Sequence, residues 1–172
     1  SAPGASALEL LRASESRILA MALVHEKLYQ SGLLARVDIS DYLDSALSRL
    51  RQEHPELSGA VRLETAAERI FLDISKAIPF GIAASELVAN SLEHAFEGRE
   101  GGSIAVALRE APGGTAVFEV RDDGKGLGSC DPSRGSGLQL ALSLSEQLGG
   151  RLEIESPESG GTRAVLSFPL SA

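Results

Sequence analysis

One stretch decides the fold of this chain: Ile78-Pro-Phe-Gly-Ile-Ala-Ala-Ser-Glu-Leu-Val-Ala-Asn-Ser-Leu-Glu-His-Ala-Phe96. Its apolar residues recur at helical spacing and predict a buried helix. Glu86 and Asn90 lie one helical turn apart within it, followed by Glu93 and His94. Burying an acid and an amide without partners costs free energy, so a helix that only filled a core would not carry them. The polar stripe therefore faces either solvent or a binding site.

Composition limits the classes to which the protein can belong. The 172 residues are 43% hydrophobic and 23% charged, enough for one cored domain with a helical extension. A formal net charge of -8 argues against wholesale binding to nucleic acid or to an anionic membrane. No apolar run is long enough for direct membrane insertion, so we expect a soluble, cytoplasmic fragment, whose parent could still be membrane-anchored. The single cysteine, Cys130, excludes a disulfide framework and a cysteine metal cage.

Periodicity and turn signals predict an α+β fold. Helices are expected at 7–30, 38–54, 78–96 and 137–148, with Ser40 or Asp38 as the cap of the second. Strands are expected at 61–65, 69–74, 103–109, 115–121, 151–156 and 162–170. This order favours a mixed, mainly antiparallel sheet with helices on one face, preceded by an N-terminal helix.

Three glycine-rich clusters follow the polar helix. They are Asp122-Asp-Gly-Lys-Gly126, Gly135-Ser-Gly-Leu-Gln-Leu140 and Gly160-Gly-Thr162. Glycine lets backbone approach a ligand closely, and the second cluster opens a helix, whose first amides can bind an anion. The clusters match neither the dinucleotide fingerprint, which needs a parallel βαβ unit, nor a Walker loop, which ends in Gly-Lys-Ser/Thr. A single Gly-x-Gly turn is more often structural than functional.

Taken in order, these segments resemble the ATP-binding domain of the GHKL superfamily, which includes sensor histidine kinases, gyrase B and the heat-shock chaperone ATPase. The segment Glu86-Leu-Val-Ala-Asn90 matches the asparagine box, and the three clusters match the glycine boxes. Met21-Ala-Leu-Val-His-Glu-Lys-Leu-Tyr-Gln-Ser31 and Ile78-Pro-Phe-Gly-Ile82 resemble histidine kinases of the HWE-like or a related subfamily. The resemblance implies a Bergerat-type two-layer ATP-binding domain at 33–172, with 1–32 as the second helix of a dimerisation and phosphotransfer region.

The resemblance also implies roles for individual residues. Asp122 would accept a hydrogen bond from the exocyclic amine of adenine, assisted by Thr162, since a carboxylate only accepts. Asn90 would coordinate Mg²⁺ beside the phosphates of ATP. Glu86 would orient a metal-bound water or act as a base toward the nucleophile. The lid over the nucleotide and its phosphate contacts would involve Gly124, Gly126, Gly135, Gly137 and Leu138.

One charge departs from the family pattern. Glu93 stands where many histidine kinases have a lysine or arginine that neutralises phosphate, so we expect its carboxylate to point elsewhere. Lys125, Arg134 and His94 are candidates for the missing cation, although each taken alone is more often a solvated surface group. The lid is short and lacks the phenylalanine-bearing box of many histidine kinases.

The resembling kinases carry their phosphoacceptor histidine on a first dimerisation helix, which we expect to lie outside this sequence. His25 belongs to the second-helix phrase and shares a helical face with Ile18 and Leu11, so we interpret it as a packed structural histidine. The function implied is an ATP-dependent histidine kinase domain. It would transfer the γ-phosphoryl of ATP to a histidine outside the fragment, and from there to the receiver domain of a response regulator.

Two alternatives remain open. One is a non-catalytic phosphotransfer or adaptor module that keeps the fold but not ATP, and intact Asp122 and Asn90 argue against it. The other is a serine kinase of the anti-sigma type, which would not need the helix at 7–30. The apolar face of that helix would pack on the phosphoacceptor helix of the parent kinase or on a second copy in a homodimer.

Overall fold

Four helices and seven strands make up the computed structural model, which describes residues 7–31, 36–53, 59–126 and 136–171. The helices are α1 (Ala7–Ser31), α2 (Ile39–Glu53), α3 (Ile74–His94) and α4 (Ser136–Gln147). The strands are β1 (Arg36–Asp38), β2 (Val61–Ala67), β3 (Phe71–Asp73), β4 (Gly102–Ala111), β5 (Thr115–Asp122), β6 (Arg151–Glu155) and β7 (Thr162–Pro169). No helix in these ranges is both long and apolar enough to cross a membrane.

The main sheet has five strands in the order β2-β4-β5-β7-β6. The β2–β4 pair is parallel, because β3 and α3 form a crossover between these two strands. The β4–β5, β5–β7 and β6–β7 pairs are antiparallel, and β4 and β5 form the predicted hairpin with Ala111 opposite Thr115. The mixed, mainly antiparallel sheet expected from the sequence is confirmed.

The core lies between this sheet and the helices. Phe80 of α3 is fully buried, and its ring meets Phe118 edge-on, with centroids 5.4 Å apart and an interplanar angle of 81°. The Phe168 ring lies 5.7 Å from that of Phe80. Such aromatic pairs contribute about 0.5–1.5 kcal/mol beyond the area they bury. They fix α3 across β5 and β7, so its polar residues lie beside the start of β7 and the end of β5.

Helix α1 packs against α3, β1 and α2, and these contacts bury part of one described face of the helix. Ala20 and Val24 are buried on that face, whereas Leu11 and Ile18 are 67% and 65% exposed. His25 is exposed as well, so the expectation of a packed histidine is wrong. His25 does share a face with Ile18 and Leu11, but this face is turned away from the domain because α1 packs through Val24.

A second sheet of two short strands was not predicted. Strands β1 and β3 pair antiparallel, with buried Val37 opposite buried Leu72. The segment expected as a strand at 69–74 is divided, since β3 ends at Asp73 and α3 begins at Ile74, four residues earlier than expected. Asp73 causes this early start because it caps α3. Asp38 caps α2 in the same way, accepting from the backbone N–H of Ser40 at 3.1 Å, as one of the two predicted caps.

Replacing Asp73 by alanine should lower the free energy of unfolding by about 1 kcal/mol at neutral pH, the usual loss for a helix N-cap. The carboxylate Oδ1 accepts from the hydroxyl of Ser75 and, at 3.2 Å, from the backbone N–H of Lys76. The Ser75 hydrogen bond lowers the pKa of Asp73 below its usual 3.8. Because the pKa of Asp73 is lower in the folded state, this stabilisation is fully present at pH values above the usual pKa of 3.8. It is lost as the pH falls through the pKa that Asp73 has in the folded protein.

Urea unfolding at about pH 7 and about pH 3 measures this effect. The difference between the wild type and Asp73→Ala should shrink at the lower pH. Asp44→Ala is the matched control, because Asp44 is exposed within α2 and should show little difference at either pH. A loss of equal size at both pH values would contradict a role for the ionised cap.

Candidate functional site

The most buried acid in the described part of the chain is Asp122, the last residue of β5, which is 3% exposed. Its Oδ1 accepts hydrogen bonds from the backbone N–H groups of Gly124, at 3.0 Å, and Thr162, at 3.1 Å. Its Oδ2 accepts one from the hydroxyl of Ser91, at 3.0 Å. All three partners donate, which suits a carboxylate that can only accept. Asp122 thus joins α3, β7 and the first glycine cluster at one point.

The glycines around Asp122 permit close packing of these segments. A Cβ atom at Gly124 would overlap Ala95 at the end of α3, and one at Gly161 would overlap the carbonyl oxygen of Asp122. Gly126 has a positive φ of 72°, which is favourable only for glycine among ordinary residues. The first and third glycine clusters therefore contact each other, the end of α3 and Asp122.

Glu86 and Asn90 form the second part of the site. Both are half-buried and lie one turn apart on α3. A Cβ atom at Gly137, in the first turn of α4, would overlap Oε2 of Glu86. The start of α4 therefore lies directly against this carboxylate, where the partial positive charge of a helix N-terminus favours an anion. Leu138, one residue on, is 7% exposed and belongs to the core.

The cation candidates that the structure describes are both paired with acids. His94 is exposed, with Nδ1 3.4 Å from Glu97 Oε1 and Nε2 3.9 Å from Glu93 Oε2. Lys125 forms a hydrogen-bonded ion pair with Glu97. The hydrogen bond from Lys125 is the main cause of the lowered pKa of Glu97, and the one from His94 is the second. Glu93 is itself exposed, so it contacts His94 rather than the interior of the site. Arg134 and Gly135 lie outside the described residues.

Sequence reasoning missed the residues that fix the first glycine cluster in place. Ser91 holds Asp122 from α3, as described above. Asp123 accepts hydrogen bonds from both the backbone N–H and the hydroxyl of Ser103, each at 2.8 Å. The N–H of Ser103 is the main cause of the lowered pKa of Asp123. Arg99 Nη1 donates to the carbonyl oxygen of Asp123 at 2.6 Å. These partners are 20 to 31 residues apart in the chain, and no local pattern indicates such pairs.

Comparisons with known proteins agree with this architecture. A family model described as histidine kinase-, DNA gyrase B-, and HSP90-like ATPase matches residues 76–172, and another described as histidine kinase matches residues 1–54. The chain is 31% identical to the sensor histidine kinase PdtaS of Mycolicibacterium smegmatis, over 95% of this chain and 33% of the relative. It is 27% identical to blue-light-activated histidine kinase 2 of Erythrobacter litoralis, over 90% of this chain and 46% of the relative. The chain thus spans only a third to a half of these curated relatives.

Solved structures show the same fold. The blue-light-activated histidine kinase EL346 of Erythrobacter litoralis superposes with a TM-score of 0.80 at 26% identity, covering 90% of this chain and 48% of that one. The histidine kinase domain of the same protein gives a TM-score of 0.83 at 24% identity, over 92% and 75%. The first family model alone covers more than half of the 172 residues. The chain therefore belongs to the family of histidine kinase-, DNA gyrase B- and HSP90-like ATPases.

Proposed function

We propose that this chain is the ATP-binding catalytic part of a two-component sensor histidine kinase. The observation that carries the proposal is the buried Asp122 carboxylate, which three donors hold at the junction of α3, β5 and β7. A carboxylate fixed in this way can accept a hydrogen bond from the exocyclic amine of adenine and would repel the carbonyl oxygen of guanine. Thr162 supports this role through its backbone N–H, which holds Oδ1.

The phosphates of ATP would lie toward Glu86, Asn90 and the start of α4. The described residues contain no group of three or more His, Cys, Asp or Glu side chains placed to hold a metal. The side-chain oxygens of Asn90 and Glu86 fit Mg²⁺ even so, because this ion prefers oxygen ligands and usually takes only one or two from the protein. When bound with ATP, Mg²⁺ would neutralise charge on the phosphates.

The proposed reaction moves one phosphoryl group. The bond between the γ-phosphorus and the β–γ bridging oxygen breaks, ADP leaves, and a bond forms to an imidazole nitrogen of a histidine outside this chain. Glu86 would take the proton of that imidazole or orient water next to it. Catalysis of this kind depends mainly on positioning and electrostatics. The half-buried Glu86, held against Gly137 of α4, suits such a positioning role. Transfer from the phosphohistidine to a receiver-domain aspartate would follow, in the cytoplasm.

The proposal assigns residues 1–32 to the dimerisation and phosphotransfer region and 33–172 to the ATP-binding domain. The proposed boundary is supported by helix α1, which spans Ala7–Ser31. Its outer face exposes Leu11, Ile18 and Met21, an apolar surface suited to the phosphoacceptor helix of the parent kinase or to a second copy. The serine-kinase and adaptor alternatives are not favoured, because α1 is present and packs on α3 and the curated relatives are sensor histidine kinases.

Two measurements test the proposal. Calorimetric titration with ATP and Mg²⁺ should show binding by this chain. Incubation with labelled ATP should leave the chain unlabelled, whereas a longer chain that includes the upstream helix should gain acid-labile phosphate. Absence of ATP binding would overturn the proposal. Because His25 is exposed, His25→Ala is the necessary control. Labelling of the short chain that disappears in this variant would place the acceptor on α1 instead.

A further inference from the structure

The structure assigns a role to Ser91, the neighbour of Asn90 on α3. We infer that Ser91 is a positioning residue, which orients Asp122 so that the site prefers a purine with an amine at position 6. Ser91 is 5% exposed, and its hydroxyl donates to Oδ2 of Asp122 at 3.0 Å. The inference deepens the proposed function and rests on the assignment of Asp122 to adenine.

The acceptor sites of the Asp122 carboxylate determine where a ligand can bind to it. A carboxylate offers about four lone-pair sites, two on each oxygen. The N–H groups of Gly124 and Thr162 occupy those of Oδ1. Ser91 occupies one site of Oδ2, and no other donor among the described residues is bound to that oxygen, so its second site can serve a ligand. An amine of adenine would therefore bind at Oδ2, the oxygen that Ser91 holds.

The position of Ser91 allows its hydroxyl to fix the orientation of the Asp122 carboxylate. The donors at Oδ1 belong to backbone on β7 and in the glycine cluster, whereas Ser91 approaches Oδ2 from α3. Donors on both oxygens restrict rotation of the carboxylate about the Cβ–Cγ bond. The remaining acceptor site at Oδ2 is then held in one direction before the nucleotide arrives. Pre-organisation of this kind raises affinity only for ligands that use the oriented group.

The test compares two nucleotides that differ in the amine. ATP carries the amine at position 6, and purine riboside triphosphate carries hydrogen there. In Ser91→Ala the affinity for ATP should fall about fivefold, the loss expected for one orienting hydrogen bond. The affinity for purine riboside triphosphate should change less than about twofold, because it does not use Oδ2. The ratio of the affinity for ATP to the affinity for the analogue should therefore fall in Ser91→Ala. Ser91→Thr keeps the hydroxyl and should have the wild-type ratio.

Ser145→Ala is the matched control. Ser145 is a second buried serine at 2% exposure, but its hydroxyl donates to the carbonyl oxygen of Leu142 within α4. It should leave the ratio of the two affinities unchanged. If thermal melting shows that Ser91→Ala is not folded, Ser91→Cys replaces it in the test, because a thiol is similar in size to a hydroxyl but is a weak donor.

Each outcome decides a separate point. An equal loss of affinity for both nucleotides in Ser91→Ala would show a structural role and overturn the inference. An unchanged ratio alongside normal ATP binding by the wild type would also overturn it, while leaving the proposed function intact. Failure of the wild type to bind ATP would overturn both.

Discussion

Asp122→Asn is expected to lower the affinity for ATP by about ten- to a hundredfold. The carboxylate receives three donors and would receive a fourth from adenine. An asparagine amide offers one oxygen, and its NH₂ group is itself a donor. With its oxygen toward Gly124 and Thr162, the amide presents its NH₂ group to Ser91, whose hydroxyl can turn and accept, and to the amine of adenine, which can only donate. A buried donor left without an acceptor costs about 1–3 kcal/mol, and the amine of adenine, which meets this group only in the complex, accounts for the expected loss of affinity.

Titration with ATP and Mg²⁺ measures the loss, and thermal melting shows whether the variant is folded. Asp123→Asn is the control, because Asp123 is adjacent in the same loop but exposed, with both oxygens bound to Ser103. It should change the affinity less than about fivefold. Equal binding by wild type and Asp122→Asn would leave ATP binding in place but contradict the assignment of Asp122 to adenine.

The sequence predicted the elements that carry strong local signals. Helix α3 combines a helical period with a polar stripe, and the structure places its Glu86 and Asn90 on a half-buried face. The hairpin of β4 and β5 follows alternating strands joined by Pro112-Gly113-Gly114. Helix, strand and turn signals of this length depend on neighbouring residues only. That dependence explains why every element except β1 was predicted, together with the β4–β5 hairpin, while contacts between distant elements were not.

The features that were missed all depend on distant partners. Strand β1 has three residues, too few for a periodic pattern, and exists because β3 pairs with it. In the sequence Ser91 is one more small residue of a helix, and only the fold shows that its hydroxyl contacts Asp122, 31 positions later. His25 lies on the face predicted for it, but only the packing of Val24 shows that this face is outside. Tertiary packing decides such cases, and local patterns do not encode it.

Gly161→Ala should be among the most destabilising single-methyl additions to the site. Gly161 has a φ of 81°, a left-handed conformation that costs other residues about 1–2 kcal/mol. Its added Cβ would also overlap the carbonyl oxygen of Asp122 and lie 3.0 Å from Cα of Asp123. Both neighbours are backbone, so β5 and the turn before β7 would have to separate. Overpacking of this kind adds about 1–3 kcal/mol, so the total loss should be about 2–5 kcal/mol.

Gly160→Ala separates the effect of the close contact with Asp122 from the effect of the left-handed backbone conformation. Gly160 lies in the same turn with a φ of 88°, but a Cβ atom there meets nothing within 4 Å. It should lose only the conformational part, about 1–2 kcal/mol. Thermal melting should therefore rank the wild type above Gly160→Ala and both above Gly161→Ala, with the last about 10 °C below the wild type. ATP affinity should fall in Gly161→Ala alone, since separating the strands lengthens the hydrogen bond from Thr162 to Asp122. Equal melting temperatures for the two variants would mean that this close contact carries no stability, and equal ATP affinities would mean that it does not position Asp122.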